Sequence, residues 1–335
     1  MTNQTSLIAN PTANLNLDFG AYLEARKREA AAHLVNGVPD YGFALDRQLR
    51  QQLAALPLIR QLAQSLAALA IPLQKQIYHM DGVAVGPHQY SEIFEVAEEC
   101  ARRLGVGIPQ VFIINHPEMN AFTFASTEVE PMIVVTSALY EAFEPAEFRF
   151  VMGHECGHIH NFHGAYQTIF ELMSNRVARL VLDGMDLMGT PLVFLNLAKA
   201  VVQTGVTLLL ARWSRCAEIT SDRAGLICCG DVQASMTALT NLTTGGGAKL
   251  KKINIEEYVK QLDNIHSLSA KFRELGMTHP IIPKRVQALR LFSNSDVLYS
   301  WRAELCNPEQ TYTLKEVDTS SAELMEVLKV GSLSI

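Results

Sequence analysis

Short apolar runs between residues 110 and 136 predict a small sheet. The three runs are "QVFIINH" (110–116), "NAFTFA" (120–125) and "PMIVVT" (131–136), and the polar stretch "STEVE" joins the last two. Runs of this length, rich in β-branched and aromatic residues and bounded by turn-forming residues, are typical of strands. We therefore expect a sheet of three to four strands in this part of the chain.

Helix-forming sequence surrounds this sheet. Residues 21–70 are rich in Ala, Leu, Gln and Arg, with breaks at "NGVP" (36–39) and at Pro57, and we expect Pro72 to stop the last helix. Residues 89–104, "QYSEIFEVAEECARRL", carry apolar residues at helical spacing. These patterns predict an α+β fold that is mainly helical, with an N-terminal block of two or three packed helices.

A helix that begins at Pro145 carries the most informative stretch, "VMGHECGHIH" (151–160). Proline is favoured in the first turn of a helix, where its missing N–H has no partner to lose. The apolar residues that fall on one stripe of this helix are Phe148, Val151, Met152, Ile159 and Phe162. We expect this stripe to face the core.

The run "LVFLNLAKAVVQTGVTLLLA" (192–211) is long enough to span a bilayer. Its polar residues, Asn196, Lys199, Gln203 and Thr207, recur at intervals of three and four residues and share one narrow stripe of a helix. The pattern favours an amphipathic helix. A polar stripe can also line a helix bundle in lipid, so a membrane span is the less favoured alternative.

Composition narrows the class of protein. The chain has 335 residues, of which 48% are hydrophobic, and this indicates a globular protein. The net charge is −6 and there is no long basic block, so we expect no nucleic-acid partner. Residues 1–20 are polar and lack the pattern of a secretory signal, and the six cysteines follow no regular spacing. These features predict a cytoplasmic location, with peripheral membrane association as the alternative.

His154 and His158 lie about 40° apart on one face of the predicted helix, so both imidazoles can reach one ion. Glu155 stands beside them, and the three residues form the H-E-x-x-H pattern of zinc enzymes. Catalytic zinc prefers neutral imidazole nitrogens and keeps a position open for water, whose proton an adjacent carboxylate can accept. The pattern favours a hydrolytic zinc site over a chance match on a histidine-rich surface.

Other residues of this helix are expected to play no part in binding the metal. His160 and His163 project about 140° or more away from the ligand pair, which predicts surface or capping histidines. Cys156 is expected to be a buried thiol. Gly153 and Gly157 lie near the far face, where they would permit close packing of a second helix.

The segment "RCAEITSDRAGL" (215–226) offers a third ligand. Glu218 and Asp222 are one helical turn apart on one face, so Glu218 could complete the zinc site while Asp222 accepts a hydrogen bond from a ligand imidazole. Taken alone, the pair is a weak signal, because solvated acidic pairs on helix faces are common.

Several motifs, in order, resemble the gluzincin metallopeptidases of the CAAX-prenyl-protease (Ste-type) and HtpX-like family. They are "NAF" (120–122), "HECGH" (154–158), "EITSD" (218–222), "THP" (278–280) and Arg285 beyond them. The resemblance covers about residues 85–305. It implies a gluzincin-like catalytic domain with a metal-binding helix and a second helix that carries the glutamate ligand.

The resemblance also implies roles for residues around the metal. The edge strand with Asn120, Ala121 and Phe122 would bind an extended peptide. His279 would donate to the oxyanion of the tetrahedral intermediate, unless it only closes a turn. Arg285 would pair with substrate or with a site carboxylate, and a structural salt bridge is the alternative.

These inferences predict four segments: a loose arm (1–20), an N-terminal helical region (21–84), a zinc metallopeptidase domain (85–305) and a C-terminal tail (306–335). We expect an endopeptidase with one Zn²⁺ per chain and Glu155 as general base, acting on peptide or protein substrates. One alternative is a catalytically silent, zinc-stabilised scaffold or adaptor, and another is a membrane-associated, HtpX-like quality-control protease. The tail either makes the enzyme latent by crossing the cleft or packs away from it. The oligomeric state is not predicted.

Overall fold

The computed structural model of the chain describes residue 20 and residues 33–126, 129–167, 206–245, 253–265, 267–275, 277 and 279–327. The predicted arm (1–20) lies outside this part of the chain except for its last residue. So do the first part of the predicted helical block (21–32) and most of the apolar run 192–211, from 192 to 205.

Six strands and twelve α-helices lie in the described ranges. The strands are β1 (Leu34–Val35), β2 (Val38–Pro39), β3 (Gly82–Ala84), β4 (Gln110–Ile114), β5 (Ala121–Phe124) and β6 (Met132–Thr136). The first helices are α1 (Ala44–Ala54), α2 (Pro57–Asp81), α3 (Ser91–Leu104), α4 (Ser137–Ala142) and α5 (Pro145–His160). The later ones are α6 (Val206–Cys229), α7 (Val232–Thr244), α8 (Ile255–Lys260), α9 (Leu268–Leu275), α10 (Ile282–Phe292), α11 (Asp296–Trp301) and α12 (Leu314–Met325). The prediction of a mainly helical α+β fold is confirmed.

The main sheet has four strands in the order β3-β4-β6-β5. Its central strands β4 and β6 are parallel, and both outer strands run antiparallel to their neighbours. Side chains alternate between the faces, so Val111 and Ile133 join the core beneath α5, whereas Phe112 and Val134 face α2. Burial on both faces explains why the runs of β4 and β6 are apolar throughout.

The N-terminal block differs from its prediction in two places. The break predicted at 36–39 falls in a β1–β2 hairpin, whose turn residues Asn36 and Gly37 adopt left-handed φ angles of 54° and 71°. The predicted stop at Pro72 is wrong, because α2 runs through it to Asp81. Ile71 packs fully buried against the sheet, and this packing offsets the hydrogen bond that proline cannot make.

The metal helix α5 is buried on all sides and not along one stripe, since every residue from Phe150 to His160 is buried. Phe162, which was expected on the stripe, lies beyond the helix end in a left-handed conformation with φ of 54°. The helix packs closely on α6, where a Cβ added to Gly157 would lie 2.6 Å from the Cβ of Ala224. The predicted close packing at Gly153 and Gly157 is confirmed, because a Cβ added to Gly153 would overlap Cys228.

The tail helix α12 packs on α10 and α1. Its Asp318 accepts a hydrogen bond from the backbone N–H of Ala44 and forms a 2.8 Å ion pair with Arg223 of α6, whose guanidinium is fully buried. Asp318 thus links the tail helix to the start of α1 and to the buried arginine of α6.

In the described ranges, no single helix has the length and apolar composition needed to cross a membrane. The pair formed by α1 and residues Ile59–Asp81, bent by 101°, meets both criteria when the two are counted together.

Candidate metal centre

Two crossing helices bring three potential ligands together. His154 and His158 lie on α5, Glu218 lies on α6, and one ligand atom from each falls within 4.8 Å of the others. The two Nε2 atoms are 3.1 Å apart, and the carboxylate oxygens of Glu218 lie 3.6 Å and 3.4 Å from His154 Nε2 and His158 Nε2. In a tetrahedral zinc site with bonds of about 2.0 Å, neighbouring ligand atoms are about 3.3 Å apart. The donor set and its spacing therefore fit zinc.

Two of the three candidate ligands, His158 and Glu218, are in protonation states that suit a cation. Burial lowers the pKa of His158 to about 3, so its imidazole is neutral and can ligate through a lone pair. Burial alone would raise the pKa of Glu218, but the charges of His279, Arg285 and His154 outweigh it and hold the pKa well below its ordinary value. Glu218 is therefore anionic, as a carboxylate ligand of a cation must be.

Glu155 is held by the edge strand of the sheet. Thr123 of β5 donates its hydroxyl to Glu155 Oε2 over 2.6 Å. Burial raises the pKa of Glu155, and the charge of His154 and the Thr123 hydrogen bond offset part of that rise. A carboxylate with a raised pKa is a stronger base, as a general base at neutral pH requires. The sequence patterns did not single out Thr123.

The outer nitrogen of His154 is held by a carboxylate and an arginine. His154 Nδ1 lies 3.0 Å from Asp222 Oδ1. Arg285 of α10 donates to both Asp222 oxygens, over 2.6 Å and 2.8 Å. Its Nη1 atom lies 3.1 Å from Glu218 Oε2. Burial opposes ionisation of Asp222, but Arg285 lowers the pKa of this carboxyl. Arg285 therefore pairs with site carboxylates. Its side chain is covered from solvent, because the residue is only 5% exposed.

The outer nitrogen of His158 has its own partners. His158 Nδ1 lies 3.0 Å from His163 Nδ1, and His163 Nε2 lies 3.1 Å from Asp46 Oδ2 of α1. His160 Nδ1 lies 2.9 Å from the hydroxyl of Tyr41. The prediction of surface histidines at 160 and 163 is wrong, because both are buried under the N-terminal block. Neither belongs to the group of ligand atoms.

His279 lies at the rim of the site. Its side chain is 55% exposed, and its Nδ1 is 3.0 Å from Glu218 Oε2. The His279 imidazole therefore lies between the candidate ligand Glu218 and solvent.

The three residues expected to bind substrate lie in different surroundings. Asn120 is exposed, and its backbone N–H and C=O bond to Thr136. Ala121 packs toward the core beneath α5. Phe122 lies on the opposite face of the sheet from Thr123, where its ring packs 6.1 Å from that of Tyr78. Phe122 is therefore separated by the sheet from Glu155.

Comparison with known proteins places this geometry in a family. Residues 87–292, more than half of the chain, match peptidase family M48. The plastoglobule-localized metallopeptidase 48 of Arabidopsis thaliana is 25% identical over 226 residues, 66% of this chain and 60% of that protein. Protease HtpX of Stutzerimonas stutzeri is 26% identical over 211 residues, 59% of this chain and 71% of that protein. A protease HtpX homolog of Streptococcus pneumoniae is 26% identical over 220 residues, 59% of this chain and 73% of that protein. No solved structure matches the chain.

Proposed function

The chain belongs to peptidase family M48, and on that premise we propose that it is a zinc-dependent endopeptidase with one ion per chain. The observation that carries the proposal is the convergence of His154, His158 and Glu218, whose ligand atoms lie within 4.8 Å of one another. Three protein ligands leave one tetrahedral position open, which is the arrangement of catalytic rather than structural zinc.

Bound zinc would supply Lewis-acid chemistry, polarising a peptide carbonyl and lowering the pKa of water. Glu155 accepts the proton of the attacking water and returns it to the leaving amine. The Thr123 hydroxyl holds Glu155 Oε2, so the carboxylate keeps one orientation and its other oxygen, Oε1, serves the water. Asp222 and Arg285 hold His154 and Glu218 in place.

His279 is proposed to donate a hydrogen bond to the oxyanion that forms as water attacks. Two observations support this role: the imidazole is exposed at the rim, and it contacts the candidate ligand Glu218. In this reading the Glu218 contact is exchanged for the substrate oxygen when peptide binds.

The substrate is proposed to be an extended peptide or protein segment that adds to the outer edge of β5. Within the described residues this strand pairs with β6 alone, and Thr123 bonds to Glu155, so a peptide laid along this edge would pass the general base. Asn120 and Ala121 would contact such a chain through their backbone. Phe122 would act only through the strand, because its ring packs on the other face.

The packing of α12 supports a structural tail over a latent enzyme. The buried residues of this helix, Val317, Asp318, Ser321 and Met325, face α10, α1 and α6. On α6 the tail contacts Arg223, through Asp318, whereas Glu218 and Asp222 of the same helix face the candidate metal site.

We propose a cytoplasmic location as well, which cell fractionation of the tagged chain would test.

Metal analysis beside peptide hydrolysis tests the proposal. Wild type should hold one zinc and cleave casein, His154→Ala should lose the zinc, and Glu155→Gln should keep it while losing at least about 100-fold in turnover. Glu274→Gln is the matched control, because Glu274 is a buried glutamate that pairs with Lys284 instead of the site.

Unchanged turnover in Glu155→Gln would reject the general base. A zinc-loaded wild type that cleaves no peptide would favour the scaffold alternative. Recovery of the chain only in detergent would favour the membrane-associated protease.

A further inference from the structure

A buried carboxylate from outside the family's matched region reaches the metal site. Asp46 lies in α1, forty-one residues before the matched region begins at residue 87. It contacts His163, which contacts the ligand His158. We infer that Asp46 is a positioning residue for the metal, acting through His163 on His158. The inference rests on the proposed metal site.

The contacts form one continuous chain of hydrogen bonds. His158 Nδ1 and His163 Nδ1 are 3.0 Å apart, and His163 Nε2 and Asp46 Oδ2 are 3.1 Å apart. Thr220 of α6 donates its hydroxyl to Asp46 Oδ2 over 2.7 Å and accepts from the backbone N–H of Phe43 over 3.1 Å. The four side chains that form these hydrogen bonds are buried, so water does not compete for the bonds.

The positions of the protons decide which atom donates in each of these hydrogen bonds. If His158 binds the metal through Nε2, its Nδ1 carries a proton and must donate it. His163 Nδ1 can accept only when the proton of His163 is on Nε2. Asp46 favours that tautomer, because its carboxylate can only accept a hydrogen bond from Nε2. Without Asp46, a proton on His163 Nδ1 would face the proton on His158 Nδ1 across 3.0 Å.

The surroundings of Asp46 suit an acceptor that faces His163. The side chain is buried, and its Oδ2 lies 3.1 Å from His163 Nε2 and accepts the Thr220 hydroxyl over 2.7 Å. Donors that point at one carboxylate oxygen favour the charged form, which can only accept.

Gln167 competes with His163 as the hydrogen-bond partner of His158 Nδ1. The Gln167 amide nitrogen lies 2.9 Å from His158 Nδ1. An amide nitrogen is a donor and cannot accept the proton of a metal-bound imidazole, whereas His163 Nδ1 can. If the amide were reversed, its oxygen would take the role that we assign to His163. Gln167→Ala therefore belongs in the experiment.

Zinc affinity by chelator competition and the visible spectrum of the Co²⁺-substituted protein test the inference. Asp46→Asn should raise the zinc dissociation constant at least about tenfold, the lower end of the range for partners behind a metal ligand, and should shift the Co²⁺ bands. The matched control is Asp318→Asn, which removes the charge of another buried carboxylate, one that pairs with Arg223. It should lower the unfolding temperature while leaving zinc affinity and the Co²⁺ spectrum unchanged.

A double-mutant cycle tests the route. His163→Gln provides an amide oxygen that can accept from His158 without help from Asp46. In that background, Asp46→Asn should change the zinc dissociation constant by less than about twofold. An equal effect in both backgrounds would overturn the inference, as would wild-type affinity in Asp46→Asn. A larger loss in Gln167→Ala than in Asp46→Asn would assign the role to Gln167 and overturn it too.

Two further comparisons keep the outcome decisive. If Asp46→Asn does not fold, His163→Leu should bind zinc at least about tenfold more weakly than His163→Gln, and equal affinities would overturn the inference. Stoichiometric zinc in wild type that is lost in His154→Ala establishes the site itself. Absence of that result overturns the proposed function and the inference together, whereas its presence with an unaffected Asp46→Asn overturns the inference alone.

Discussion

Gly157→Ala should separate the two helices that carry the proposed metal ligands. A Cβ at this position would lie 2.6 Å from the Cβ of Ala224 and 3.2 Å from the Cα of Ser221, both on α6. Carbon atoms in van der Waals contact are about 3.5 to 4.0 Å apart, so the crossing must open by about 1 Å. Backbone atoms cannot rotate away as a flexible side chain can. The added methyl therefore acts on the distance between α5 and α6.

The cost follows from two opposing effects. Overpacking costs about 1 to 3 kcal/mol, and the rigid neighbours favour the upper end. Alanine in a helix gains about 1 kcal/mol over glycine, which leaves a net destabilisation of about 2 kcal/mol. At about 2 °C per kcal/mol for a large chain, the unfolding midpoint should fall by about 4 °C. Since a ligand displacement of about 1 Å costs on the order of 100-fold in turnover, peptide hydrolysis should suffer more than stability.

The exchange variant Gly157→Ala with Ala224→Gly is the control. It moves one methyl across the crossing and keeps one glycine and one alanine in helices, so helix propensity cancels. Thermal unfolding, zinc content and casein cleavage should recover most of the way to wild type. The reasoning is refuted if the single variant is as stable and active as wild type, or if the exchange variant is no better than the single one.

Three other changes address separate contacts. Asp222→Ala should weaken zinc binding about 10- to 100-fold in chelator competition, and unchanged affinity would contradict its contact with His154. Truncation after Leu305 removes Asp318 and leaves Arg223 buried without its partner, so calorimetry should show a loss of about 3 to 5 kcal/mol or no folded product; a stable, activated product would contradict this. Burial raises the pKa of Tyr78 to about 12, so the fold favours the neutral phenol, and this contribution is present below pH 10 and lost as pH rises toward 12. Tyr78→Phe should therefore show a shallower fall in urea midpoint from pH 10 to 12, and identical slopes would refute the reasoning.

Much of the candidate triad could be singled out from the sequence because its geometry is local. His154 and His158 are four residues apart on one helix, and so are Glu218 and Asp222 on another, so helical periodicity alone places each pair on one face. The pairing of the two helices came from the resemblance to known metallopeptidases, since no spacing within either helix contains it. The glycines of α5 indicated close packing but did not identify the partner helix.

The partners of His158 could not be predicted, because they depend on where the helix ends. The angular projection that placed His163 on the surface assumed a helix through residue 163. The helix ends at His160, and the left-handed Phe162 turns the chain so that the His163 N–H bonds to the His158 carbonyl. Asp46 is more than a hundred residues away in sequence, and only tertiary packing reveals it. A further histidine, His163, five residues after His158 was the available signal.

The prediction at Pro72 failed for a related reason. A proline removes one backbone hydrogen bond from a helix, and a local rule treats that loss as a stop. The rule contains no information on Ile71, which is fully buried against the sheet beside Phe112. Tertiary burial outweighs the local cost, and only the folded structure contains that comparison.

The small size of β5 has a consequence for turnover. The strand has four residues, and on an antiparallel edge only alternate residues direct their N–H and C=O outward, so an added chain gains about four backbone hydrogen bonds. A net contribution of about 1 kcal/mol for each bond is too small to retain a cleaved fragment for long. Product release should then be fast, and two copies of the protein should gain little from joining edge to edge through this strand.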